Sequence, residues 1–594
     1  MRRHAADCIA VIVLIAAVLA FDGQLLGHRI PRGEDHWLAF LPAYRIGESG
    51  WPPRWNPYVC GGAPFVANPQ YSAWYPPRWI FASVAALDGY GPFCFGHFLA
   101  AALAMFLCLR GLGCGPTGAL VGSVGFACGS YIQGHLSNPG LLFSSVWLPL
   151  IVPCSFRAME RAGVRWPMLL GLLMAVIVFA GSPHNIFYAA LIVALAAIWH
   201  VCFGTATDST ASSKVARTIG HLGLAAAIAL GVSAIQWIPT VEFARLSFRQ
   251  SLSVSDLARD PLAWSWLDNL FVGTPAPWAT EYLDKSAYFA MSALPLLLAA
   301  IMVARKPRRE WFFVALAAVG VWIALGTQAG AFQLFGFFPA LRFLSGPSRA
   351  LVLFALGMSA LVGMGADNVA RIIEERRARK SFWLVVSACA AAALVLFLTR
   401  CRDLSWQDAR DIALRATTPR DPSLFLTLNA SVFLALGALL VGAARILPAR
   451  FQARHWLGPA LVLLVFLDLF HFRQRLPLPM ASREGLAAPE TVAAVLRDQT
   501  GPFRVVGYEP TRVNPGDMND CSLRELLMPN LAALYGLHDI QGFDPLILRD
   551  YARLVEATAG RSPIDDPVRM LNVARPDATL FRLLNVRYLI GDVR

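Results

Sequence analysis

Charged residues are scarce in this sequence, and the common motifs for nucleotide and zinc binding are absent from it. Only 15% of the 594 residues are charged, whereas soluble domains average about 25%. The chain contains no Walker A loop, no dinucleotide-binding glycine motif and no HExxH zinc helix. These absences argue against an ordinary soluble domain, and they give no indication of a nucleotide cofactor or of energy from ATP.

Metal-binding spacing is also missing from the 11 cysteines. No CxxC pair or Cys/His cluster occurs, and several cysteines lie inside apolar runs, where Cys acts as a small hydrophobic residue. The sequence therefore identifies no metal site. A divalent cation held by carboxylates stays an open question.

Net charge is +13, but the position of the basic residues does not indicate nucleic-acid binding. Most basic clusters lie in short loops between apolar runs, where they set membrane orientation. A nucleic-acid-binding domain would instead carry a basic stripe on one soluble face. We therefore expect no nucleic-acid partner.

Long apolar runs dominate instead, and 56% of the residues are hydrophobic. Runs of roughly 17–25 apolar residues are long enough to span a bilayer as helices. The pattern predicts an all-α polytopic membrane protein of about thirteen transmembrane helices. The predicted spans are 8–26, 93–109, 117–132, 141–156, 166–180, 185–203, 221–238, 288–304, 311–325, 350–366, 382–398, 424–443 and 456–472.

Basic clusters alternate along the chain as a cytoplasmic N-terminus requires. An odd number of spans then places the C-terminal part outside the cytoplasm. We predict a transmembrane domain over 1–472, with a first outer loop over 27–92, and a small extracytoplasmic α+β domain over 473–594. Strands are predicted at Phe503–Tyr508 and Val586–Ile590, and helices at Glu490–Arg497 and Leu546–Thr558. The basic clusters lie near 157–165, 214–217, 305–309, 371–380 and 445–454.

The first outer loop opens with an acidic pair, Glu34 and Asp35, followed by His36. A carboxylate just outside a membrane helix suits a general base for an acceptor hydroxyl, and it also suits a cation beside a phosphate. A third interpretation is a solvated helix start, in which the carboxylates complement the helix dipole. The local pattern leaves these three open.

Farther along, the loop is rich in Trp, Tyr, Pro and Asn. Aromatic rings stack on sugar faces, but Trp and Tyr also favour the membrane interface. We expect most of these rings to be interfacial or packing residues, and Asn56, Asn68 and Gln70 to be the sugar contacts.

Polar residues also recur at helix ends on the outer side of the predicted topology. Polar and ionisable groups at membrane depth are costly and often mark a site, although each one alone is as well explained by hydrogen bonding at a helix end. The candidates are His135, His184, Gln236 and Glu242.

Two arginines, Arg342 and Arg349, lie in an outer segment, LRFLSGPSR, against the positive-inside bias. Arg binds phosphate through a forked contact, and the helix that follows adds a favourable dipole. A lipid phosphate is the predicted ligand, and snorkelling to the headgroups is the alternative.

Together these stretches resemble the YfhO-type bacterial membrane proteins of the GT-C glycosyltransferase superfamily. The resemblance is carried in order along the chain by WNPYVCGGAPFVANPQYSAWYPP, GSPHNIFYAAL, IQWIPTVEFARLSFRQ, FFPALRFLSGPSR, NLAALYGLHDIQGFDPL and LLNVRYLI. It implies a GT-C-like fold. It also implies an inverting transferase that takes sugar from a polyprenyl-phosphate carrier outside the cytoplasm.

In such enzymes the usual catalytic group is an acidic residue in the first outer loop, a position that here corresponds to Asp35 or, secondarily, Glu34. The resemblance further implies a cell-envelope acceptor, contact with membrane lipids and a place in the bacterial inner membrane. Two other classes fit the composition: a transporter or flippase of lipid-linked sugars, and a non-catalytic envelope assembly protein. A transporter would favour repeats and midplane charges, and neither is evident in the sequence.

Overall fold

The computed structural model describes most of the chain. The described residues are 2–27, 29–31, 36–46, 52–81, 86–204, 211–248, 261–272, 285–303, 308–336, 344–375, 380–401, 422–446, 453–475, 480–482, 487–498, 501–508, 526–560 and 570–591. Of the predicted site residues, Glu34, Asp35 and Arg342 lie outside these ranges.

Helices make up nearly all of the structure before the C-terminal domain. The first twelve are α1 (Arg2–Asp22), α2 (Leu41–Ile46), α3 (Pro76–Phe81), α4 (Ala86–Gly111), α5 (Pro116–Ala127), α6 (Ser130–Gly134), α7 (Pro139–Ser145), α8 (Leu148–Glu160), α9 (Arg165–Ala180), α10 (Pro183–Phe203), α11 (Ala211–Val232) and α12 (Ala234–Leu246). Those that follow are Asn269–Val272, Leu294–Met302, Arg308–Ala324, Ala331–Gly336, Leu351–Glu375, Lys380–Cys401, Pro422–Ile446 and Ala453–Arg475.

Within the described ranges, nine helical stretches are long and apolar enough to cross a membrane. Each of the thirteen predicted spans overlaps a helix; the four outside the nine fall on the shorter helices α5, α9, Leu294–Met302 and Arg308–Ala324. The prediction of a polytopic, mainly helical membrane protein is therefore confirmed. The nine stretches are His4–Leu26, Gly89–Gly111, Pro139–Glu160, Pro183–Phe203, Ser212–Val232, Pro347–Glu375, Lys380–Thr399, Leu428–Ile446 and Trp456–Gln474.

Small residues let α5 approach the central helix Leu351–Glu375 closely. A Cβ atom added to Gly118 would lie 2.5 Å from the carbonyl oxygen of Gly363, and one added to Gly122 would lie 2.7 Å from that of Ser359. Lipid tails are as apolar as the side chains, so moving a side chain from lipid into a helix interface gains no hydrophobic free energy. Membrane helices therefore associate through close packing of this kind. The Leu351–Glu375 helix is buried along most of its length for this reason.

Gly118→Val should lower the thermal stability of the purified protein in detergent. The added side chain meets backbone rather than a movable side chain, and overpacking of this kind costs about 1–3 kcal/mol. Gly223→Val is the matched control, because it is also a helical glycine and a Cβ there meets nothing within 4 Å. Equal melting temperatures for the two variants would contradict the packing described for α5.

A buried ion pair joins the ends of the first and last membrane helices. Arg473 Nη1 lies 2.6 Å from Asp22 Oδ1, and Gln133 Nε2 donates to Asp22 Oδ2 at 2.9 Å. Just beyond these helix ends, β1 (Arg29–Pro31) pairs antiparallel with β4 (Met480–Ser482). The first loop and the C-terminal domain therefore begin side by side at the same end of the helix bundle.

The C-terminal domain combines short strands and helices, as predicted. Strands β5 (Arg504–Tyr508) and β9 (Val586–Gly591) match the two predicted strands, and they pair in parallel within a three-stranded sheet ordered β6-β5-β9. The remaining strands are β6 (His538–Asp539), β7 (Gly542–Phe543) and β8 (Met570–Leu571), and the helices are Glu490–Leu496, Arg549–Ala559 and Ala578–Leu583. In the first loop, β2 (Trp55–Asn56) pairs with β3 (Ala63–Pro64).

Candidate functional site

Three of the predicted site residues, His135, His184 and Arg349, belong to one connected set of contacts. His184, at the start of α10, has Nε2 2.6 Å from the carbonyl oxygen of Ser345 and 3.4 Å from Arg349 Nη1. The Tyr131 hydroxyl donates to the carbonyl oxygen of Arg349 at 2.7 Å, and the Tyr131 and His135 rings lie 4.2 Å apart. We call these five residues the arginine cluster.

Local sequence explains how each part of the arginine cluster is held. Ser182 caps α10 by accepting from the backbone N–H of Asn185, and Pro183 occupies the first helical turn, where no amide hydrogen is needed. The His135 imidazole is fixed by a 2.6 Å contact between Nδ1 and the carbonyl oxygen of Tyr131. Arg349 donates to the carbonyl oxygen of Ser345 one turn earlier. The cluster thus holds a partly buried guanidinium against the His184 imidazole and the Ser345 carbonyl oxygen, and Tyr131 holds the backbone of Arg349.

His36 begins the helical stretch that continues into α2, and it is fully buried. Its ring lies 4.1 Å from that of Tyr90, and the Tyr90 hydroxyl donates to the carbonyl oxygen of Leu136 at 3.2 Å. Neither ring nitrogen of His36 has a hydrogen-bond partner among the described residues. Burial lowers the pKa of His36 to about 3, so the ring is neutral at physiological pH. His36, the residue next to Asp35, thus packs on Tyr90, whose hydroxyl contacts the backbone next to His135.

Two of the three predicted loop amides, Asn56 and Asn68, are hydrogen-bonded within the protein. Asn68 Oδ1 accepts from the backbone N–H of Gln70 at 3.0 Å, and Asn68 Nδ2 donates to Asp544 at 2.7 Å. Asn56 Oδ1 accepts from the backbone N–H of Tyr58, while the Gln70 side chain is half-buried. A sugar-binding role for the three amides stays a prediction, and Gln70 has the most accessible side chain of the three.

Helix α12 holds the same loop from another side. Gln236 Nε2 donates to the carbonyl oxygen of Val66 at 3.1 Å, and the Thr240 hydroxyl donates to that of Ala67 at 2.8 Å. Glu242, on the same helix, is exposed. Gln236 therefore positions the loop, and the structure brings Glu242 to none of the contacts described here.

Close backbone approach joins the loop to the C-terminal end of α9. Gly181, which ends α9 with φ of 96°, leaves so little room that a Cβ there would lie 2.1 Å from the carbonyl oxygen of Pro69. The Ser72 hydroxyl donates to the carbonyl oxygen of Ala180 at 3.0 Å. His184 follows Gly181 by three residues, so the loop packs against the turn that leads to the arginine cluster.

Sequence reasoning missed two charged residues of the loop region. Arg78, in α3, is buried, its guanidinium lies 3.8 Å from the centre of the Tyr44 ring, and it donates to the carbonyl oxygen of Tyr71. Asp544, in the C-terminal domain, is the buried acceptor for Asn68. Arg78 could have been noticed in the sequence, because an Arg in a short apolar segment is unusual. The residues around Asp544 do not indicate its partners, which lie more than 470 residues away in the sequence.

No group of three or more His, Cys, Asp and Glu side chains is arranged to hold a metal ion in the part of the chain that the structure describes. Glu34 and Asp35 are outside that part. A cation at the acidic pair therefore stays a prediction.

Asp539, in β6, is a second buried carboxylate of the C-terminal domain. Its Oδ1 accepts from the backbone N–H of Gln541 at 2.9 Å, and its Oδ2 has no partner within the described residues. Burial raises the pKa of Asp539 to about 7. The neighbouring Cys60 and Tyr551 also have pKa values raised by burial, so neither ionises near neutral pH.

Stability should fall as pH rises from about 4 to 7, and Asp539→Asn should remove that part of the pH dependence. In this window the folded state holds the Asp539 proton and the unfolded chain releases it, so raising the pH favours unfolding by up to about 1.4 kcal/mol per unit. Melting temperatures at pH 5 and 8 measure the effect. If the melting temperature of Asp539→Asn changes between pH 5 and 8 as much as that of the wild type or of the exposed control Asp550→Asn, the prediction is wrong.

Comparison with known proteins gives structural neighbours only. No protein-family model matches the sequence, and no curated protein matches it. ArnT from Cupriavidus metallidurans bound to undecaprenyl phosphate aligns at a TM-score of 0.47 with 12% identity, covering 93% of this chain and 91% of that one.

Two further solved structures align more loosely. The Archaeoglobus fulgidus oligosaccharyltransferase in complex with Zn and sulfate has a TM-score of 0.39 and 12% identity, covering 98% of this chain and 68% of that one. Arabinofuranosyltransferase AftD from Mycobacteria has a TM-score of 0.36 and 14% identity, covering 61% and 26%. Similarity at these levels transfers no residue roles, so the site rests on this chain's own contacts.

Proposed function

We propose that this chain is a membrane-embedded glycosyltransferase of the GT-C type. It moves a sugar from a polyprenyl-phosphate carrier to a cell-envelope acceptor at the extracytoplasmic face of the bacterial inner membrane. One observation carries the proposal: Arg349 and His184 are in contact at one end of the bundle, and the first loop, whose sequence contains the acidic pair, packs against the turn that precedes His184. The YfhO-type resemblance of the sequence supports the same function.

Arg349 is the proposed phosphate clamp. Its guanidinium is half-buried beside His184, and the 25-residue helix Leu351–Glu375 begins two residues later. A forked cation near a helix N-terminus favours a phosphate oxygen through both charge-assisted hydrogen bonds and the helix dipole. Arg342, in the same segment of the sequence, is proposed as a second contact. The phosphate of a polyprenyl carrier stays at the membrane because its polyprenyl chain is embedded in the bilayer, so it can reach Arg349.

Asp35 is the proposed general base, with Glu34 as the second candidate. As the acceptor hydroxyl attacks the anomeric carbon, Asp35 takes the hydroxyl proton. The bond from the anomeric carbon to the phosphate oxygen breaks, and its electron pair passes to the phosphate, where Arg349 stabilises the charge. A single displacement of this kind inverts the anomeric centre. The sugar–phosphate bond supplies the energy.

His36 has a supporting role in this proposal. Its neutral ring is buried against Tyr90, so it fixes the chain next to Asp35 without adding a positive charge that would weaken the base. His135 and the loop residues Asn56 and Gln70 are proposed to border the sugar, and buried Asn68 is proposed to shape the loop around it. Exposed Trp55 and Trp79 suit the membrane interface.

Release of polyprenyl phosphate by the full chain in nanodiscs tests the proposal. The donors are polyprenyl-phosphate hexose, pentose and N-acetylhexosamine, the acceptor is a bacterial envelope extract, and mass spectrometry follows both lipid products. We expect one donor to lose its sugar to the extract. If every donor stays intact, the proposed function is wrong.

A further inference from the structure

The C-terminal domain is joined to the first loop by backbone pairing between segments far apart in sequence. Cys60 N–H donates to the carbonyl oxygen of Gln541 at 2.8 Å, and Gly61 N–H donates to that of Asp539 at 3.0 Å. In return, Asp539 N–H donates to the carbonyl oxygen of Tyr58 at 3.0 Å. Through these three backbone hydrogen bonds, segments 58–61 and 539–541 form one layer.

Asp544 adds a charged anchor to this layer. Its Oδ2 accepts from Asn68 Nδ2 at 2.7 Å and from the Tyr71 hydroxyl at 2.6 Å, while its Oδ1 accepts from the backbone N–H of Leu546 at 2.8 Å. The residue is 4% exposed. Buried hydrogen bonds to an ionised acceptor are stronger than neutral ones. Burial and the Asp544 charge also raise the pKa of Tyr71, which keeps its hydroxyl a donor.

The segment that Asp544 holds is the one that contacts the C-terminal end of α9. Asn68 caps the short helix Pro69–Tyr71, the carbonyl of Pro69 faces Gly181, and Ser72 donates to Ala180. The contacts therefore run from Asp544 through segment 68–72 to the turn that precedes His184. Each step is a direct contact between buried groups.

We propose that Asp544 is a positioning residue for sugar transfer and that the C-terminal domain is part of the active-site architecture. The inference rests on the proposed function. Asp544 touches neither reacting sugar nor phosphate; it sets the distance between the first loop and the arginine cluster. A displacement of about 1 Å between such groups can cost roughly 100-fold in rate.

A charge-swap series tests the inference. Asp544→Asn removes the ionised acceptor, and Asn68→Asp sets two carboxylates against each other. In the double variant, the amide introduced at position 544 can donate to the carboxylate introduced at position 68, which can still accept from Gln70 N–H. Each single variant should lower kcat roughly 10–100-fold, with the donor KM within about threefold, in rates measured below the melting temperature of each variant. The double variant should recover only part of the lost kcat, because the single amide oxygen at position 544 cannot accept from both the Leu546 N–H and the Tyr71 hydroxyl.

Asp550→Asn is the matched control, because that carboxylate belongs to the same domain and its side chain is 91% exposed. It should transfer sugar at the wild-type rate. A swap variant no better than the worse single variant, or wild-type kcat in Asp544→Asn, would overturn the inference while leaving the proposed function intact.

Hydrogen–deuterium exchange tests the same contact without any turnover. Asp544→Asn should speed amide exchange over 58–72, and Asp550→Asn should not. Unchanged exchange over this segment would overturn the inference. If the wild type transfers no sugar from any donor, the proposed function fails, and exchange alone decides whether Asp544 holds the loop.

Discussion

Sugar transfer by the Asp35→Asn variant is expected to fall by about 10²–10⁴-fold in kcat, the usual contribution of a general base. Asn keeps the size and polarity of Asp but takes no proton at neutral pH. The acceptor hydroxyl would then have to lose its proton to water, which is a weaker base. The measurement is initial-rate release of polyprenyl phosphate at saturating donor, with expression and melting temperature matched to the wild type.

Glu34→Gln is the control for this prediction, because it removes the neighbouring charge and leaves Asp35 in place. We expect it to keep transfer within about tenfold of the wild type, as a modest change in local charge would give. Full activity in Asp35→Asn together with a large loss in Glu34→Gln would move the base to Glu34. Full activity in both variants would contradict the mechanism.

Arg349→Ala should raise the donor KM by roughly 10–100-fold, the range expected for hydrogen bonds to a charged group. Because the clamp also stabilises the departing phosphate, kcat should fall as well. Arg349→Lys should recover only part of each loss, since an ammonium cannot make the forked contact. Initial rates over a range of donor concentrations separate the two effects.

Arg165→Ala is the matched control for the clamp. Arg165 also lies at the start of a membrane helix, but that helix is α9, and its guanidinium is exposed and 5.7 Å from the Trp166 ring. Its loss should leave the donor KM unchanged. Equal effects from the two variants would mean that Arg349 acts through general surface charge and binds no phosphate.

The membrane helices were predictable because hydropathy acts over a whole span. Even α5 and α9, too short for a strict length criterion, were found from their apolar runs. Strands β5 and β9 were also predicted, but their parallel pairing was not. Strand pairing depends on which segments come together in the folded protein, and the residues of one strand do not identify its partner.

The site was predictable only in part, for the same reason. Polarity at a helix end singled out His184, and the charge of an outer segment singled out Arg349; the structure places these two side chains in contact. The side-chain amides of Asn68 and Gln236 are equally polar, but they form hydrogen bonds within the protein. Asn68 donates to Asp544, and Gln236 donates to the carbonyl oxygen of Val66. Asp544 lies in a stretch that carried the family resemblance, but its role needs a partner 476 residues away.

Transfer in oriented vesicles tests the central claim most directly. Donor carrying a labelled sugar is placed in the leaflet on the side of the first loop, with envelope extract outside, and both the carrier and the label are followed for the wild type and Asp35→Asn. The account predicts free polyprenyl phosphate and label in a new, inverted glycosidic bond, for the wild type alone. Intact donor appearing in the opposite leaflet would make the chain a flippase and contradict the account.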